Sequence, residues 1–422
     1  MGSRNAFAVF ISLALLMSMS LCVEEGKGRT ITVYYQLVAE EENILKREIF
    51  PRVAEEIGAE IRGINADNLD TIDKVNAEVR GGRGGSIGIV LTDIAYLGVW
   101  NGGDTYYDLT QLYENWSDKP EIFDPVLNAG IIDGTVVALP LRTDCEVLYY
   151  NEEAFEEYGA PLPDEWDSWD DLYNAAKTFK EKTGSAKLGL KGDLYEGLIC
   201  NVLSYVWAAG GNVIDEQGNV VFNSPKTIEA FDFLKKLWND GLIHQSSRIW
   251  REGSIVEEGM MTNQIYMALD WPYAMGMLQN AGKEEWKVAL TPMGPETRAT
   301  ALGGWYFVVP KNAPDPELSW EFIKSMLSTE TQLLINEKLG WSMANTETWE
   351  IDPSWPQWQK DLVVVQREML DKYAKPRPQI DAWSEISMAI QNCFSGVVYG
   401  DKDAASAVNE AASQIEKVVS RA

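Results

Sequence analysis

Residues 138–151 read Ala-Leu-Pro-Leu-Arg-Thr-Asp-Cys-Glu-Val-Leu-Tyr-Tyr-Asn, so two apolar stretches enclose a charged centre. Strand-like sequence at 136–139 and 147–150 flanks this centre. A chain that crosses from one α/β block to another has this pattern, and Arg142 and Asp144 would then face the cleft between the blocks. The alternative is a surface β-hairpin whose Arg–Asp pair contributes little stability.

Strands and helices alternate on both sides of this stretch, which favours βαβ units in each block. The predicted fold class is therefore α/β, with two lobes joined by hinge strands and a ligand cleft between them. Pro51 is expected to kink the first helix. The predicted strands are 31–35, 59–64, 87–91, 265–269 and 286–290, and the predicted helices are 43–57, 71–80, 168–182, 197–209, 225–240, 315–327 and 403–419.

Length and charge exclude several classes of protein. The 422 residues are too many for one ordinary core and suit two or three domains. A net charge of −28 disfavours nucleic-acid binding. His244 is the single histidine, which excludes His-pair zinc motifs and disfavours a Ser-His-Asp triad. Without a phosphate-binding glycine motif, the sequence predicts no nucleotide, other cofactor or metal.

The N-terminus has the pattern of an export signal. Arg4 precedes an uncharged and largely apolar segment at 6–23. Cys22 stands where a lipoprotein signal places its acylated cysteine, although Leu21 replaces the small residue that such signals prefer. The alternatives are an uncleaved membrane helix and an incidental cysteine in a discarded peptide. We expect residues 1–29 to form this signal or anchor with a short tether, and the remainder to lie outside the cytoplasm.

The other cysteines are Cys145, Cys200 and Cys393. Three thiols allow at most one disulfide, and the sequence does not decide the pair. Buried free thiols are the alternative.

Short segments that combine aromatic rings, carboxylates and glycine suggest a ligand site. Asp93 follows the strand at 87–91 and either faces the cleft or caps the next helix. Segments 271–273 (Trp-Pro-Tyr) and 303–306 (Gly-Gly-Trp-Tyr) present further aromatic rings. Such rings suit the apolar face of a sugar, and charged side chains satisfy its hydroxyls. The alternative for each tryptophan is core packing.

A larger set of motifs carries a family resemblance that runs from about residue 30 to the C-terminus. The motifs are 92–98 (Thr-Asp-Ile-Ala-Tyr-Leu-Gly), 148–151 (Leu-Tyr-Tyr-Asn), 195–200 (Tyr-Glu-Gly-Leu-Ile-Cys), 271–273, 302–305 (Leu-Gly-Gly-Trp), 339–341 (Leu-Gly-Trp) and 376–378 (Pro-Arg-Pro). In their order and spacing the chain resembles the extracellular solute-binding proteins of ABC importers. The likeness is to the sugar-binding branch, including its archaeal trehalose- and maltose-binding members.

The resemblance implies a periplasmic-binding-protein type II-like fold that holds a sugar between its lobes. The implied roles are hydroxyl binding by Asp93, Asp144 and Arg377, ring stacking by Trp271, Tyr273 and Trp305, a close backbone approach at Gly304, and sugar binding by Glu41, with Glu40 and Glu42 as alternatives. Lobe 1 is expected to comprise 30–142 with 293–338, and lobe 2 is expected to comprise 143–292 with 339–422.

Arg142 departs from the family pattern, which has an aromatic residue two positions before the crossover aspartate. Arginine removes a stacking face and adds a fixed fork of donors. We therefore expect an altered specificity, for a different disaccharide or for a ligand with an anionic group. Replacement of Arg142 by Tyr is expected to change ligand preference.

The implied function is capture without chemistry, by a monomer at the extracellular face of the membrane. The lobes would close about hinges near 143–146, 288–292 and Gly340, and the closed form would deliver the sugar to an ABC permease. A secreted glycoside hydrolase that uses Asp93 and Asp144 is the main alternative, disfavoured because neither carboxylate has obviously apolar surroundings in the sequence. A cell-surface interaction protein is a third class.

Overall fold

The computed structural model describes residues 28–37 and 39–421. The strands within these ranges are β1 (Arg29–Tyr35), β2 (Ala59–Asn65), β3 (Ile89–Asp93), β4 (Ile131–Ile132), β5 (Thr135–Val136), β6 (Leu139–Cys145), β7 (Val147–Asn151), β8 (Met267–Asp270), β9 (Trp286–Ala289), β10 (Thr300–Val308) and β11 (Ala374–Lys375).

The helices within the same ranges lie between and after these strands. They are α1 (Ala39–Ile44), α2 (Phe50–Ile57), α3 (Asn68–Arg80), α4 (Leu97–Gly102), α5 (Thr110–Glu114), α6 (Asp124–Asn128), α7 (Glu152–Tyr158), α8 (Trp169–Thr183), α9 (Glu196–Ala208), α10 (Pro225–Asn239), α11 (Glu252–Ser254), α12 (Tyr273–Asn280), α13 (Pro316–Leu327), α14 (Thr329–Leu339), α15 (Gln357–Lys372), α16 (Trp383–Phe394) and α17 (Ala404–Val419).

One sheet is built around β1, β3 and β10. Its strand order is β11-β10-β3-β1-β2, and β6 also pairs with β10. The βαβ units make β1 parallel to β2 and to β3, whereas β10 runs antiparallel to β3 and to β6. The long strand β10 therefore connects the N-terminal units to the crossover strand.

A second, antiparallel sheet has the order β8-β7-β9. Strands β6 and β7 are separated by Glu146 alone, yet they belong to different sheets. The stretch at 138–151 is thus a crossover, and the surface-hairpin alternative is wrong. The chain returns to the first sheet between β9 and β10, so the predicted two-lobed α/β fold is confirmed.

One hydrophobic core takes in residues of both sheets, such as Val90 of β3 and Val147 of β7, and further cores lie on either side of it. Val33, Phe50 and Phe322 belong to the core beside β1. The core of the other lobe gathers α8, α9 and α10 and takes in Trp383 of α16 and Ile415 of α17. Helix α15 packs against both β6 and β9, and so lies across the two sheets.

Local signals set many of the element boundaries. Ser168 and Asp171 form the predicted capping box at the start of α8, and Gly184 ends that helix in the left-handed conformation. The helix predicted over 43–57 is confirmed, since the chain is helical without a break from Ala39 to Ile57, but a π-helical turn at Leu45–Ile49 lies between α1 and α2. Pro51 follows this turn and has no N–H to donate to a preceding carbonyl.

Pro140 lies inside β6 rather than between two strands. It pairs with Tyr306, beside a register shift between Trp305 and Tyr306. A proline in a sheet is tolerated at such irregularities because it cannot donate a ladder hydrogen bond. The strand predicted to end at 139 therefore begins there.

Candidate ligand-binding site

The site is built on one face of the first sheet. Trp305 of β10 pairs with Asp93 of β3 on one side and with Arg142 of β6 on the other. Two residues away, Gly303 pairs with Asp144. Because side chains alternate between faces along a strand, these positions share one face. The predicted Asp93, Arg142, Asp144 and Trp305 are therefore brought together.

Gly303 leaves room for the groups above it. A Cβ at this position would lie 2.0 Å from Asp144 Oδ1 and 2.8 Å from the Trp271 ring. The carboxylate and the ring thus meet over a glycine that cannot carry a side chain. Gly304 has φ +147°, which favours glycine, and its Cβ would lie 2.7 Å from the Arg142 carbonyl. Its contact with a ligand stays a prediction.

Arg142 is held between two tryptophans. Its guanidinium carbon lies 4.2 Å from the centre of the Trp341 ring and 5.3 Å from that of Trp305. Glu41 Oε1 lies 3.7 Å from Arg142 Nη1 and accepts a 2.9 Å hydrogen bond from Trp341 Nε1. No role was predicted for Trp341, although it belongs to the motif at 339–341.

Glu41, which lies in α1, faces this cluster. Glu42 instead accepts hydrogen bonds from Lys46, Asn65 and Tyr35. The side chain of Glu40 lies outside the described part of the chain. The structure therefore supports the choice of Glu41 over Glu42.

Arg377 brings a second cation to Asp93. It is 6% exposed, and its Nη2 lies 3.5 Å from Asp93 Oδ1. Its Nη1 donates to Glu196 Oε1 at 2.9 Å, and the same oxygen accepts a hydrogen bond from Trp383 Nε1. Glu196 begins α9 in the second lobe of the predicted division, to which Arg377 also belongs, and its role was not predicted although it lies in the motif at 195–200.

Asp93 caps the turn that follows β3, and its role toward a ligand stays a prediction. Its Oδ1 accepts a 2.8 Å hydrogen bond from the Ala95 N–H, which caps the short 3-10 turn Ile94–Tyr96. The same oxygen faces Arg377. Burial raises the pKa of Asp93, and the Arg377 charge opposes this shift.

Asp144 has unused acceptor capacity. Within the described residues no hydrogen bond to its carboxylate is recorded, and Gly303 leaves it facing the Trp271 ring. Burial raises the pKa of Asp144 to about 6, Arg142 opposes the shift, and Asp93 adds to it. The sequence-based expectation that no candidate carboxylate has a raised pKa is therefore wrong.

Trp271 and Tyr273 lie at the start of α12, after β8. Tyr149 donates a 2.9 Å hydrogen bond to the Trp271 carbonyl, which fixes the backbone there. Tyr273 is 40% exposed. Stacking of either ring on a ligand stays a prediction, because it needs a bound ligand to test it.

A buried charged network lies behind Trp271. Lys191, Glu146 and Asp270 have fully buried side chains. Lys191 Nζ donates to Glu146 Oε1 and, at 3.1 Å, to Asp270 Oδ1, and Nζ lies 5.2 Å from the Trp271 ring centre. Asn201 donates to the other Glu146 oxygen at 2.7 Å. This network was not predicted from the sequence. The one indication of a buried lysine is that Lys191 directly follows the apolar residues 188–190.

The remaining sequence-based predictions have mixed outcomes. Cys145, Cys200 and Cys393 are buried free thiols, so the disulfide alternative is wrong. His244 caps a 3-10 turn and stacks on Trp250, in keeping with a structural residue.

The export segment and Cys22 lie outside the described residues. Within residues 28–37 and 39–421, no helix is long and apolar enough to cross a membrane, and no metal-binding group of His, Cys, Asp and Glu occurs.

Residues 52–361 match the bacterial extracellular solute-binding protein family. The chain belongs to this family. A probable ABC transporter-binding protein of Deinococcus radiodurans is 25% identical over 274 residues, which is 60% of this chain and 61% of the relative. The chain thus spans about three fifths of that relative's length.

A similar sequence and a similar solved structure have names that mention sugars. A maltooligosaccharide ABC transporter solute-binding lipoprotein of Streptococcus pneumoniae R6 is 24% identical over 297 residues, covering 68% of this chain and 66% of the relative. The structure of maltose-bound MalE3 from T. maritima has a TM-score of 0.76 and 23% identity, and the match covers 92% of this chain and 99% of that one. The solute-binding protein thus has the bilobed fold of maltose-binding-type proteins.

Proposed function

We propose that this solute-binding protein serves an ABC importer and captures a sugar, a disaccharide or short oligosaccharide, in the cleft between its lobes. The observation that carries the proposal is the shared face of Trp305, Arg142, Asp93 and Asp144, with the Trp271 ring above Gly303. Aromatic faces and unused hydrogen-bonding groups are what a sugar ring requires.

Both lobes contribute polar groups to this face. Asp93 comes from β3 in the first lobe, and Arg377 links it to Glu196 at the start of α9 in the second. A sugar that contacts both sets would favour the closed arrangement over the open one. Arg377 and Asp93 would then be the groups that couple binding to closure.

We place the hinges where the chain changes sheets. Glu146 separates β6 from β7, and residues 290–299 connect β9 to β10. A hinge near Gly340 is not proposed, because the segment after it stays beside the first sheet, where Met343 bridges to Arg142 and Asn345 to Ile122. The predicted division was 30–142 with 293–338 and 143–292 with 339–422; we propose that residues 143–145 and 341–345 belong instead to the first lobe, because they pair with β10, β6 and Ile122. Short segments between sheets can absorb the rotation of one lobe against the other.

The closed form would then dock on a membrane permease and release the sugar. We propose that the protein acts as a monomer at the extracellular face of the membrane, anchored through Cys22 or through an uncleaved N-terminal helix. A single acyl chain would hold it only reversibly, so a second contact with the membrane or permease is expected.

The names of the relatives suggest which sugars to test first. The Streptococcus pneumoniae relative is named for maltooligosaccharides, and the T. maritima structure contains maltose. Glucose-based disaccharides such as maltose and trehalose, as bound by the archaeal branch, are therefore the first candidates.

The raised pKa of Asp144 favours one competing function, a glycoside hydrolase. A carboxyl group with a pKa of about 6 can act as a general acid beside a second carboxylate such as Asp93. Family membership and the cross-lobe Arg377 contact favour capture instead. The two proposals differ in whether the sugar leaves the cleft unchanged.

Tryptophan fluorescence tests the proposal. Purified protein is titrated with maltose, trehalose, longer glucans and unrelated sugars, and the mixtures are analysed for products. A saturable change with intact sugar supports capture, and hydrolysed sugar supports the glycosidase. No response across the panel would overturn the sugar proposal.

A further inference from the structure

Arg142 covers aromatic surface that would otherwise be open to a ligand. Its guanidinium carbon is 4.2 Å from the Trp341 ring centre and 5.3 Å from that of Trp305. At these separations the atoms of any flat group would contact both rings. Guanidinium stacks well on aromatic faces, so the Arg142 side chain itself fills the slot between the Trp341 and Trp305 rings.

The backbone fixes this arrangement. Arg142 pairs with Trp305 across β6 and β10, and it forms an isolated bridge with Met343 on its other side. Trp341, two residues before Met343, is 6% exposed beneath the guanidinium. The two rings and the arginine therefore emerge side by side from adjacent segments.

The polar contacts of Arg142 are incomplete for a purely structural arginine. Nη1 lies 3.7 Å from Glu41 Oε1, which is longer than a hydrogen bond. Nε is buried without a hydrogen-bond partner in the part of the chain that the structure describes. A structural guanidinium of this burial usually has its donors satisfied, so this one is poised to be displaced or to meet a ligand.

We infer that Arg142 occupies an aromatic subsite between Trp305 and Trp341, and that it thereby limits the number of sugar rings the cleft accepts. The inference rests on the proposed sugar-binding function and deepens it. It also replaces the expectation of an anionic ligand, because Glu41, Asp93, Asp144 and Glu196 outnumber the cations Arg142 and Arg377 around the cleft. Without the guanidinium, the slot would hold one additional pyranose ring.

Calorimetric titration of wild type and Arg142→Ala with mono-, di- and trisaccharides of one series tests this inference. We expect the ratio of trisaccharide to disaccharide affinity to rise about tenfold or more in the variant, because the vacated slot gains two stacking faces. Addition of Trp341→Ala should remove the gain. Guanidinium chloride, compared with sodium chloride, should weaken trisaccharide binding to Arg142→Ala and leave wild type unaffected.

Arg248 offers a matched control. Its guanidinium carbon also lies near two rings, 4.8 Å from Tyr399 and 5.9 Å from Trp238, but outside the cleft. Arg248→Ala should leave the affinity ratio unchanged. If thermal unfolding shows that Arg142→Ala is not folded, Arg142→Thr replaces it, since threonine is favourable in a strand such as β6.

The outcomes separate this inference from the proposed function. If wild type binds sugars and the folded Arg142 variant has the same ratio of trisaccharide to disaccharide affinity, the subsite is overturned. The proposed function is then unaffected. Wild type that binds none of the sugars would overturn the function itself. A shifted ratio that Arg248→Ala does not reproduce supports the subsite.

Discussion

Two cation–carboxylate clusters near the Trp271 ring differ in how completely they are paired. Lys191 donates to Glu146 and Asp270, and all three side chains are fully buried. Arg142 lies 3.7 Å from Glu41 and is 17% exposed. Within the described residues, Lys191 and both Glu146 oxygens of the first, sealed cluster have hydrogen-bond partners in the protein and only Asp270 Oδ2 of this cluster lacks one, whereas Arg142 Nε and the Asp144 carboxylate of the second, open cluster have none.

We therefore assign the sealed cluster to the fold and the open cluster to the proposed ligand site. Glu146 stands at the crossing between β6 and β7, and Asp270 ends β8, so the sealed cluster fixes the strands at the crossover. Asp144, two residues before Glu146, points into the open cluster, and burial raises its pKa to about 6. Two neighbouring carboxylates on one crossover thus differ in surroundings, and only Asp144 is proposed to bind the ligand.

The largest expected effect comes from breaking the sealed cluster. Lys191→Met leaves Glu146 and Asp270 buried without their cation, and we expect the free energy of unfolding to fall by about 3–5 kcal/mol. Denaturant unfolding measures it. Lys236→Met removes the exposed ion pair with Asp240 and should cost less than about 1 kcal/mol. Equal losses for the two variants would contradict the comparison.

The next effect is a pH dependence of stability that originates in the open cluster. The pKa of Asp144 is raised from 3.8 to about 6 in the folded state, so its ionisation opposes folding. Its contribution to the free energy of unfolding should fall as pH rises from about 4 to 6. Asp144→Asn should remove this contribution to the pH dependence and stabilise the protein at pH 7 by at most about 3 kcal/mol.

The measurement is denaturant unfolding at several pH values between 4 and 7. Asp401→Asn, at an exposed position, serves as the control and should follow the wild-type profile. A profile for Asp144→Asn that parallels wild type would show that this carboxylate is not desolvated in the folded protein.

The same variant should have the opposite effect on ligand binding. If the Asp144 carboxylate accepts a sugar hydroxyl, Asp144→Asn should weaken binding about tenfold although it stabilises the fold. Wild-type affinity should fall as pH is lowered through about 6, and the variant should lose this dependence. Calorimetric titration checks both, and undiminished affinity in Asp144→Asn would place the ligand elsewhere.

The smallest effect concerns the ring between the clusters. Trp271→Ala should weaken sugar binding about fivefold, since stacking on one aromatic face contributes about 1 kcal/mol. Trp238→Ala, which removes a ring that contacts Tyr399 outside the cleft, should leave affinity unchanged. Equal losses of affinity in the two variants would mean that Trp271 acts only through stability.

Sequence patterns predicted the elements that local chemistry fixes. The capping box at Ser168 and Asp171 gave the start of α8, and Asp315 with Pro316 gave the start of α13. The π-helical turn at Leu45–Ile49 was not predicted, because helical periodicity continues through it and only Pro51 signals a disturbance.

The site was predicted in part for the same reason. Asp93, Arg142, Asp144 and Trp305 carry recognisable motifs, and strand register then brings them onto one face. Lys191, Glu196 and Trp341 were missed because their partners lie 45 or more residues away in sequence. Their contacts with Glu146, Arg377 and Glu41 form only in the folded protein.

A crystal structure with the tightest-binding disaccharide tests the account most directly. We expect the sugar between the lobes, with one ring over Trp271 or Trp305 and hydroxyls within hydrogen-bonding distance of Asp93, Asp144 and Arg377. The sealed cluster of Lys191, Glu146 and Asp270 should make no direct contact with it. A sugar bound outside this face, or one that contacts Lys191 while Asp144 stays unbound, would contradict the division between the two clusters.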